Sequence, residues 1–304
     1  VLRFNKFSNE YLTECDGNLK LTLEDLLLEK KYSKDFEKWY LLPMGGCIWS
    51  CPKNEILKFP AFTFLKFCLN HGLLQIFNRP KWKTVLNGCN TYVEKVLKGI
   101  EKKYLNEPVL EIKPHDGKLN VKTNQRSENY DYCIICTHPP EALKMLEICD
   151  PQTKELLYKF KFQENKAVLH LDESVLPDKK IAWSAWNYTS TKSDDGKEKV
   201  SVSYLINKLQ PLPYKESVIV TLNPVTKINN DKIIKIITYQ HPLFSTESIK
   251  AQEKMSNIQG SNGIYFSGAW MRYGFHEDGI FSTKKAIKKL LSDDSLNNNL
   301  INIL

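Results

Sequence analysis

Arginine is scarce in this chain. Arg3, Arg79, Arg126 and Arg272 are its four arginines, against a Lys+Arg total of 43 and a formal net charge of +8. Arginine is the better bidentate reader of phosphate and guanine. A scattered, lysine-rich surplus therefore reads as a solvated surface and argues against a nucleic-acid-binding module. The charge role it leaves is weak contact with anionic lipid head groups, through Lys284, Lys285, Lys288 and Lys289 near the end of the chain. No apolar run reaches the length of a membrane span, and Val1-Leu2-Arg3-Phe4 lacks the layout of a secretory signal. Histidine spacings build no metal cluster, and no Gly-x-Ser-x-Gly elbow or paired catalytic carboxylates stand out. A G-x-G-x-x-G turn is also missing, since Gly45-Gly46, Gly88 and Gly260 to Gly268 all fail the spacing. Opening on Val1 rather than Met predicts an excised piece of a longer chain.

The eight cysteines bear on compartment more than on chemistry. Cys133 and Cys136 form a C-x-x-C inside Tyr130 to Cys136, which reads as one buried strand. Residues three apart on a strand point to opposite faces, so neither a disulfide nor a shared metal follows. Cys47 and Cys51 lack the paired spacing of a zinc site, and the rest are isolated. Unpaired cysteines, expected to be buried, fit a reducing cytosol and a cytoplasmic protein.

Periodicity predicts a helix over 22–40, with Thr22 or a neighbour as N-cap and Glu24 and Asp25 in its first turn. Pro43, Gly45, Gly46 and Pro52 are expected to break the chain after it. A buried helix over Phe62 to Leu69 should close at Asn70-His71-Gly72, and another should run from Tyr92 to Tyr104. Strands are expected over 109–112, 118–123 and 130–136, the first two joined at Asp116-Gly117. Pro139-Pro140 starts a helix through Leu146. Short strands then recur at 167–171, 182–188, 200–206, 218–222 and 233–239, with a polar, mobile loop from Ser190 to Lys199. This part reads as a mostly antiparallel sheet, and Ser292 to Leu304 as an Asn-rich disordered tail.

The most informative stretch is Ile264 to Leu291. A short apolar strand runs into Gly268-Ala269-Trp270, a loop of glycines, aromatics and acids follows, and a helix is expected from about Gly279. Glycines delivered to a helix N-terminus place backbone N–H groups and the positive end of a helix dipole before an anionic or electron-rich ligand. The bland alternative is an ordinary strand-to-helix turn with Asp278 as N-cap.

This segment resembles the C-terminal flavin-binding signature of the flavin-containing amine oxidase superfamily. The likeness is greatest to a group of FAD-dependent oxidoreductases, some fused in plants to cyclopropane-fatty-acyl synthases. Tyr40-Leu41-Leu42-Pro43-Met44 through Trp49-Ser50, Asn70-His71-Gly72-Leu73-Leu74, Arg79-Pro80-Lys81-Trp82, Trp186-Asn187-Tyr188, Asn207 to Gln210, Val220 to Pro224 and His241-Pro242 match the same group in the same order. The resemblance implies an α/β fold, an incomplete FAD/NAD(P)-binding Rossmann-like lobe interleaved with an α+β substrate lobe. Residues 76–150 and 256–292 would form the FAD-binding lobe, 1–75 and 151–255 the substrate lobe, and 293–304 the tail. Relatives open with a G-x-G-x-x-G βαβ unit; here it is expected upstream of Val1, on another chain, or nowhere.

Site residues follow from the same resemblance. Gly268, Ala269 and Trp270 match a turn that contacts ribityl and pyrophosphate, and Glu277, Asp278, Gly279 and Ile280 belong to the helix start aimed at the flavin. Val109 matches the position whose backbone meets the adenine. Thr137 lies where relatives approach the cofactor, whereas neighbouring His138 reads as a satisfied loop residue. Asn87-Gly88-Cys89 departs from the usual Gly-Gly-Ser, although Asn tolerates a left-handed backbone. His276 is the candidate acid or base, because imidazole titrates near neutrality. For the substrate, Trp186 and Tyr188 among the many aromatics suggest an apolar pocket. Asn70, His71, Asn187 and Asn207 would supply orienting polar groups, with Asn223, His170 and His241 as further candidates. The expected activity is hydride transfer from an apolar substrate to FAD, the substrate being an unsaturated fatty-acyl chain or an amine. A fused or separate fatty-acyl methyltransferase is the implied protein partner. Two rival readings are a noncatalytic lipid-binding or interaction module that has lost the flavin, and a surface-associated basic protein.

Overall fold

The computed structural model describes residues 1–304 apart from 15, 16, 18, 50, 51, 147–149, 193–197 and 294–304. The expected tail beyond Asp293, the middle of the expected Ser190 to Lys199 loop, and Ser50, Cys15, Cys51 and Cys149 lie outside the described residues. Two compact units share the chain, Val1–Glu101 with Phe162–His241 and Lys102–Lys161 with Pro242–Leu304. Each is therefore discontinuous in sequence. The changeovers differ from the expected ones: residues 76–101 cluster with the first unit, and 151–161 and 242–255 with the second.

The first unit begins with helices α1 (Leu2–Glu14), α2 (Leu23–Glu29) and α3 (Lys34–Phe36). Thr22 caps α2 as expected, and Asp25 returns the bond to the Thr22 backbone in a reciprocal capping box. The single helix expected over 22–40 is instead interrupted at Lys30–Ser33. Beyond α3 the chain passes through a π turn at Glu37–Leu41 directly into α4 (Leu42–Trp49). Pro43, Gly45 and Gly46 thus lie inside a helix rather than breaking one. Proline cannot donate to the carbonyl four residues back and crowds it; the widened π turn, closed by Leu42 N–H to Glu37 O, absorbs that defect. Gly45 is useful for its missing side chain, since a Cβ there would lie 3.0 Å from Ile56 Cγ2 of α5 (Lys53–Leu57).

Trp49 packs on Phe59, Phe64 and Phe67 at centroid distances of 5.1, 5.4 and 4.6 Å, and α6 (Ala61–Asn70) carries the last two. α6 ends as expected: Gly72 takes φ +67°, Leu73 N–H bonds Cys68 O and Gly72 N–H bonds Leu69 O, a Schellman closure. Asn87 and Gly88 both adopt positive φ, at 63° and 82°. The following helix α7 (Asn90–Leu97) is shorter than expected and buries no residue. A short helix without packing for its apolar stripe gains little from extension.

In the second unit β1 (Val109–His115), β2 (Lys118–Thr123) and β3 (Ser127–Tyr130) form an antiparallel meander. Asp116 and Gly117, with φ of 47° and 74°, make the expected hairpin turn. The strand expected over 130–136 is in fact two. β3 pairs with β2, whereas β4 (Cys133–Ile135) leaves the meander and belongs to another sheet. Helices α8 (Pro139–Met145) and α9 (Pro151–Tyr158) follow, α9 capped by Asp150.

The chain then supplies the five-stranded sheet of the first unit. β5 (Lys161–His170), β6 (Trp186–Lys192), β7 (Glu198–Leu205), β8 (Ile219–Leu222) and β9 (Ile233–Leu243) lie in the order β6-β7-β8-β5-β9. Antiparallel ladders join β6 to β7, β7 to β8 and β8 to β5. Two expectations shift here. Lys180–Ala182 is a 3-10 turn, so the strand starts at Trp186 and not at 182, and β6 and β7 run on into the segment expected to be loop. A polar sequence on a two-stranded ribbon needs no buried face to satisfy its backbone.

The second unit closes with α10 (Thr246–Lys254), β10 (Ile264–Phe266) and α11 (His276–Asp293). α9 touches both α8 and α10, which is why 151–161 and 242–255 cluster here. β10 pairs with β4 in parallel, Ile264, Tyr265 and Phe266 opposite Cys133, Ile134 and Ile135. Among the described residues no helix is long and apolar enough to cross a membrane.

Candidate functional site

The strand, turn and helix at 264–291 belong wholly to the second unit. The helix opens at His276, three residues before the expected Gly279, so Asp278 is not the N-cap. It sits in the first turn and its carboxylate accepts the Phe275 N–H at 3.0 Å, the N3 half of a capping box. Asp278 is buried, and Arg272 Nη1 lies 3.6 Å from it while the guanidinium rests 4.3 Å over the Phe281 ring. Phe275, His276, Glu277 and Ile280 are exposed, so the positive end of this 18-residue helix faces outward.

The turn ahead of the helix is tightly built. Gly268 has an extended backbone, and a Cβ there would lie 2.3 Å from the Trp270 Nε1. Only glycine leaves room for that indole. Trp270 is 4% exposed, stacks edge-on against Phe160 at 4.6 Å and donates to Thr137 O at 3.3 Å. Ser282 Oγ accepts the Gly268 N–H at 2.9 Å and donates to Gly279 O at 2.8 Å. Gln252 Nε2 donates to Trp270 O at 2.8 Å and Arg272 O at 2.7 Å. Ser282, Gln252 and Arg272 carried no sequence signal, because each acts through a partner that only the fold brings near.

Thr137 follows β4 and Gly268 follows β10, so both stand at the carboxyl ends of parallel strands, where open α/β sheets place their ligands. The Trp270–Thr137 bond ties these two ends together, and a Cβ on Gly279 would sit 4.0 Å from Ala269 N. Thr137, Gly268, Ala269, Trp270, Glu277, Asp278, Gly279 and Ile280 are thus brought to one corner of the second unit, with His276 beside them. Val109 stands apart at the start of β1, where it shares with Thr137 the lining of an apolar cavity of about 480 Å³. His138 lies 3.8 Å from Glu141.

The substrate candidates all fall in the first unit, and the geometry divides them. His71 stacks on Phe67 at 3.9 Å and reaches Trp82 at 6.4 Å; Trp82 meets Trp186 edge-on at 6.4 Å, and Trp186 meets Tyr204 at 5.9 Å. Trp82 is 65% exposed, so this aromatic row reaches the surface. Asn70 is exposed and Tyr188 half-buried. Asn187 and Asn207 are spent on the backbone. Asn187 pairs with Ser184 N–H and O and with Ser203 O, and Asn207 with Glu216 O and Val218 N–H. Asn223, at φ 48°, bonds Asn165 and the Lys166 N–H, and Asn165 in turn bonds His241. His170 is fully buried: Asp172 N–H donates to its Nδ1, which leaves the proton on Nε2 for Thr221 Oγ1 at 2.7 Å. Burial lowers its pKa, against the pull of Asp172.

The cysteines split as well. Cys47 and Cys68 are buried, and desolvation pushes both thiols up to about 12. Cys89 and Cys136, expected to be buried, are exposed, and Cys133 is half-buried. Cys136 lies beyond the end of β4, outside the strand that was to bury it.

No protein-family model matches the sequence, and no curated protein matches it. Solved structures do. The CLA-producing fatty acid isomerase from P. acnes is 16% identical with a TM-score of 0.61, over 92% of this chain and 68% of that one. Cyclohexylamine oxidase from Brevibacterium oxydans IH-35A is 10% identical with a TM-score of 0.62, over 97% and 75%. Putrescine oxidase bound to putrescine is 10% identical with a TM-score of 0.63, over 95% and 74%. The chain therefore has the fold of the flavin-containing amine oxidases and related flavoproteins.

Proposed function

We propose that this chain is the larger part of an FAD-dependent oxidoreductase of the amine-oxidase type, which removes a hydride from a carbon of an apolar substrate. One observation carries the reading: the carboxyl ends of β4 and β10 meet at Thr137 and Gly268, directly before the outward-facing N-terminus of α11. Bound flavin would supply the hydride acceptor, a role no side chain of this chain can take. The residues fit that group. The Gly268–Ala269 backbone and the first turn from Glu277 to Ile280 would hold it, and the α11 dipole favours negative charge there by roughly 0.3–2 kcal/mol. Trp270, Ser282 and Gln252 shape the turn from beneath, and Val109 offers backbone at the start of β1. His276, exposed at the start of α11, would hold or pass a proton at its imidazole.

The aromatic row of His71, Trp82 and Trp186 suits an apolar substrate. Of the similar solved proteins, one is named for a fatty acid and two for amines. We favour an unsaturated fatty-acyl chain, by analogy with that isomerase and with the fused relatives. The direct test is titration of the purified chain with FAD, followed by the flavin's visible absorption and fluorescence. Retention of flavin through gel filtration, lost on Gly279→Glu, is expected. A colourless protein that rejects FAD, alone and when supplied with a βαβ segment, would refute the reading.

A further inference from the structure

Another cavity, of about 340 Å³, lies within the first unit, lined by residues of α4, β5, β7 and β8 and the turn after β8. Alternate residues of a strand share a face, so Val200, Val202 and Tyr204 of β7 point the same way, and the ladder sets Leu222 of β8 opposite Val202. The Tyr204 hydroxyl donates to Cys47 O at 3.1 Å, which holds α4 over that face. Gly46, the residue before, brings no side chain to fill the space beneath the helix. Val202 and Leu222 are buried and Val200 half-buried, so the three make a closed apolar floor.

The polar side chains around the cavity are not alike. Asn223, just past β8, spends its amide on the fold: Oδ1 accepts the Lys166 N–H at 2.9 Å and Nδ2 donates to Asn165 Oδ1 at 2.5 Å. Its left-handed backbone, φ 48°, turns the chain so that Pro224 joins the lining as an apolar wall. Lys166 and Lys199 are exposed at the mouth. Among the described residues neither has an ion pair, and no carboxylate lines the cavity. Two cations without a counter-charge above an apolar floor select the sign of a ligand, because they attract an anion and repel a second cation. The volume falls within the roughly 300–1,000 Å³ of small-molecule sites, near the lower end, where one alkyl chain fits better than two.

We propose that this cavity binds a single-chain anionic amphiphile, with its alkyl chain on Val200, Val202 and Leu222 and its carboxylate paired with Lys166 and Lys199. An alkylamine, cationic at neutral pH, is turned away by the same two lysines. The proposal goes beyond the flavin reading and does not rest on it, and its test contains no flavin.

The probes are decanoate and, with the opposite charge on the same chain, decylamine, each titrated below its micellar concentration into the full chain by isothermal titration calorimetry. Decanoate should bind saturably, more weakly as salt is raised, and decylamine should not bind. The double variant Lys166→Glu/Lys199→Glu changes exposed positions and leaves the floor intact, and should weaken decanoate binding roughly tenfold or more. On the unaltered protein, decanoate carrying a diazirine near its methyl end should cross-link to the peptides that hold Val200 to Val202 and Leu222 to Val225, as mapped by mass spectrometry. Phosphatidylglycerol vesicles test the other source of an anionic head on an alkyl chain, and the double variant should sediment with them as the wild type does. Absence of saturable decanoate binding, equal binding of decylamine, an unchanged affinity in the double variant, cross-links elsewhere, or a variant that loses the vesicles and keeps decanoate would overturn the proposal.

Discussion

Substituting Gly268 by Ala isolates one contact at the heart of the site. Its backbone is extended, with φ 164° and ψ 155°, so alanine is at no conformational disadvantage. Its loss of unfolded-state freedom should even stabilise by about 0.4–1 kcal/mol. Against this, the new Cβ would sit 2.3 Å from Trp270 Nε1 and 2.6 Å from its Cδ1, and the indole is wedged on Phe160 with little space to retreat. Overpacking of this kind costs about 1–3 kcal/mol, so Gly268→Ala should destabilise by about 1–2 kcal/mol net. Trp270→Ala alone should cost about 3–5 kcal/mol. The double variant decides the matter, because once the indole is gone only the entropic gain remains. Gly268→Ala should therefore change sign and stabilise the Trp270→Ala protein by about 0.4–1 kcal/mol. Urea denaturation followed by far-UV circular dichroism measures all four proteins of the cycle. Additive costs would refute the claim that Gly268 is glycine on account of Trp270.

His170 should give the protein a pH-dependent stability. Its folded pKa lies below the ordinary imidazole value of about 6.5, so the unfolded chain binds the proton first. The contribution is whole above that pH and lost as pH falls from it toward the depressed folded value. Melting temperatures between pH 7 and 5 should fall more steeply for the wild type than for His170→Asn, and parallel curves would contradict this. Gly72→Ala combines φ +67° with a Cβ 2.7 Å from Pro80 Cδ, and should cost more than about 1 kcal/mol in the same urea assay. A wild-type-like midpoint would dismiss the Schellman closure. Among the described cysteines, Cys89 should react first in thiol labelling of the native protein, Cys136 more slowly because burial pushes its thiol up, and Cys47 and Cys68 only on unfolding, since a thiol held near pKa 12 yields almost no thiolate. Mass spectrometry of the labelled peptides gives the order.

Particular residues show where sequence reading succeeds and where it stops. The Thr22 cap, the Gly72 closure and the Asp116-Gly117 hairpin each close a ring of a few residues, so their partners are neighbours in the chain. Pro43 and the two glycines after it misled because their usual meaning is local too. A π turn before the proline and close packing on Ile56 after it reversed that meaning. The strand expected over 130–136 failed for a related reason. Its halves look alike in composition, and only their partners, β2 for one and β10 for the other, separate them.

The candidate site divides along the same line. By itself the sequence determined the order of strand, glycine turn and helix at 264–291, because apolar runs, glycines and first-turn acids act over neighbouring residues. Tertiary structure alone decided that Trp270 fills the space a Cβ would need at Gly268, that Asn187 and Asn207 are spent on the backbone, and that β4 leaves the meander to pair with β10. Such facts depend on which distant segments meet, and close packing and hydrogen-bond pairing across the fold are set by that meeting rather than by any stretch of chain taken alone.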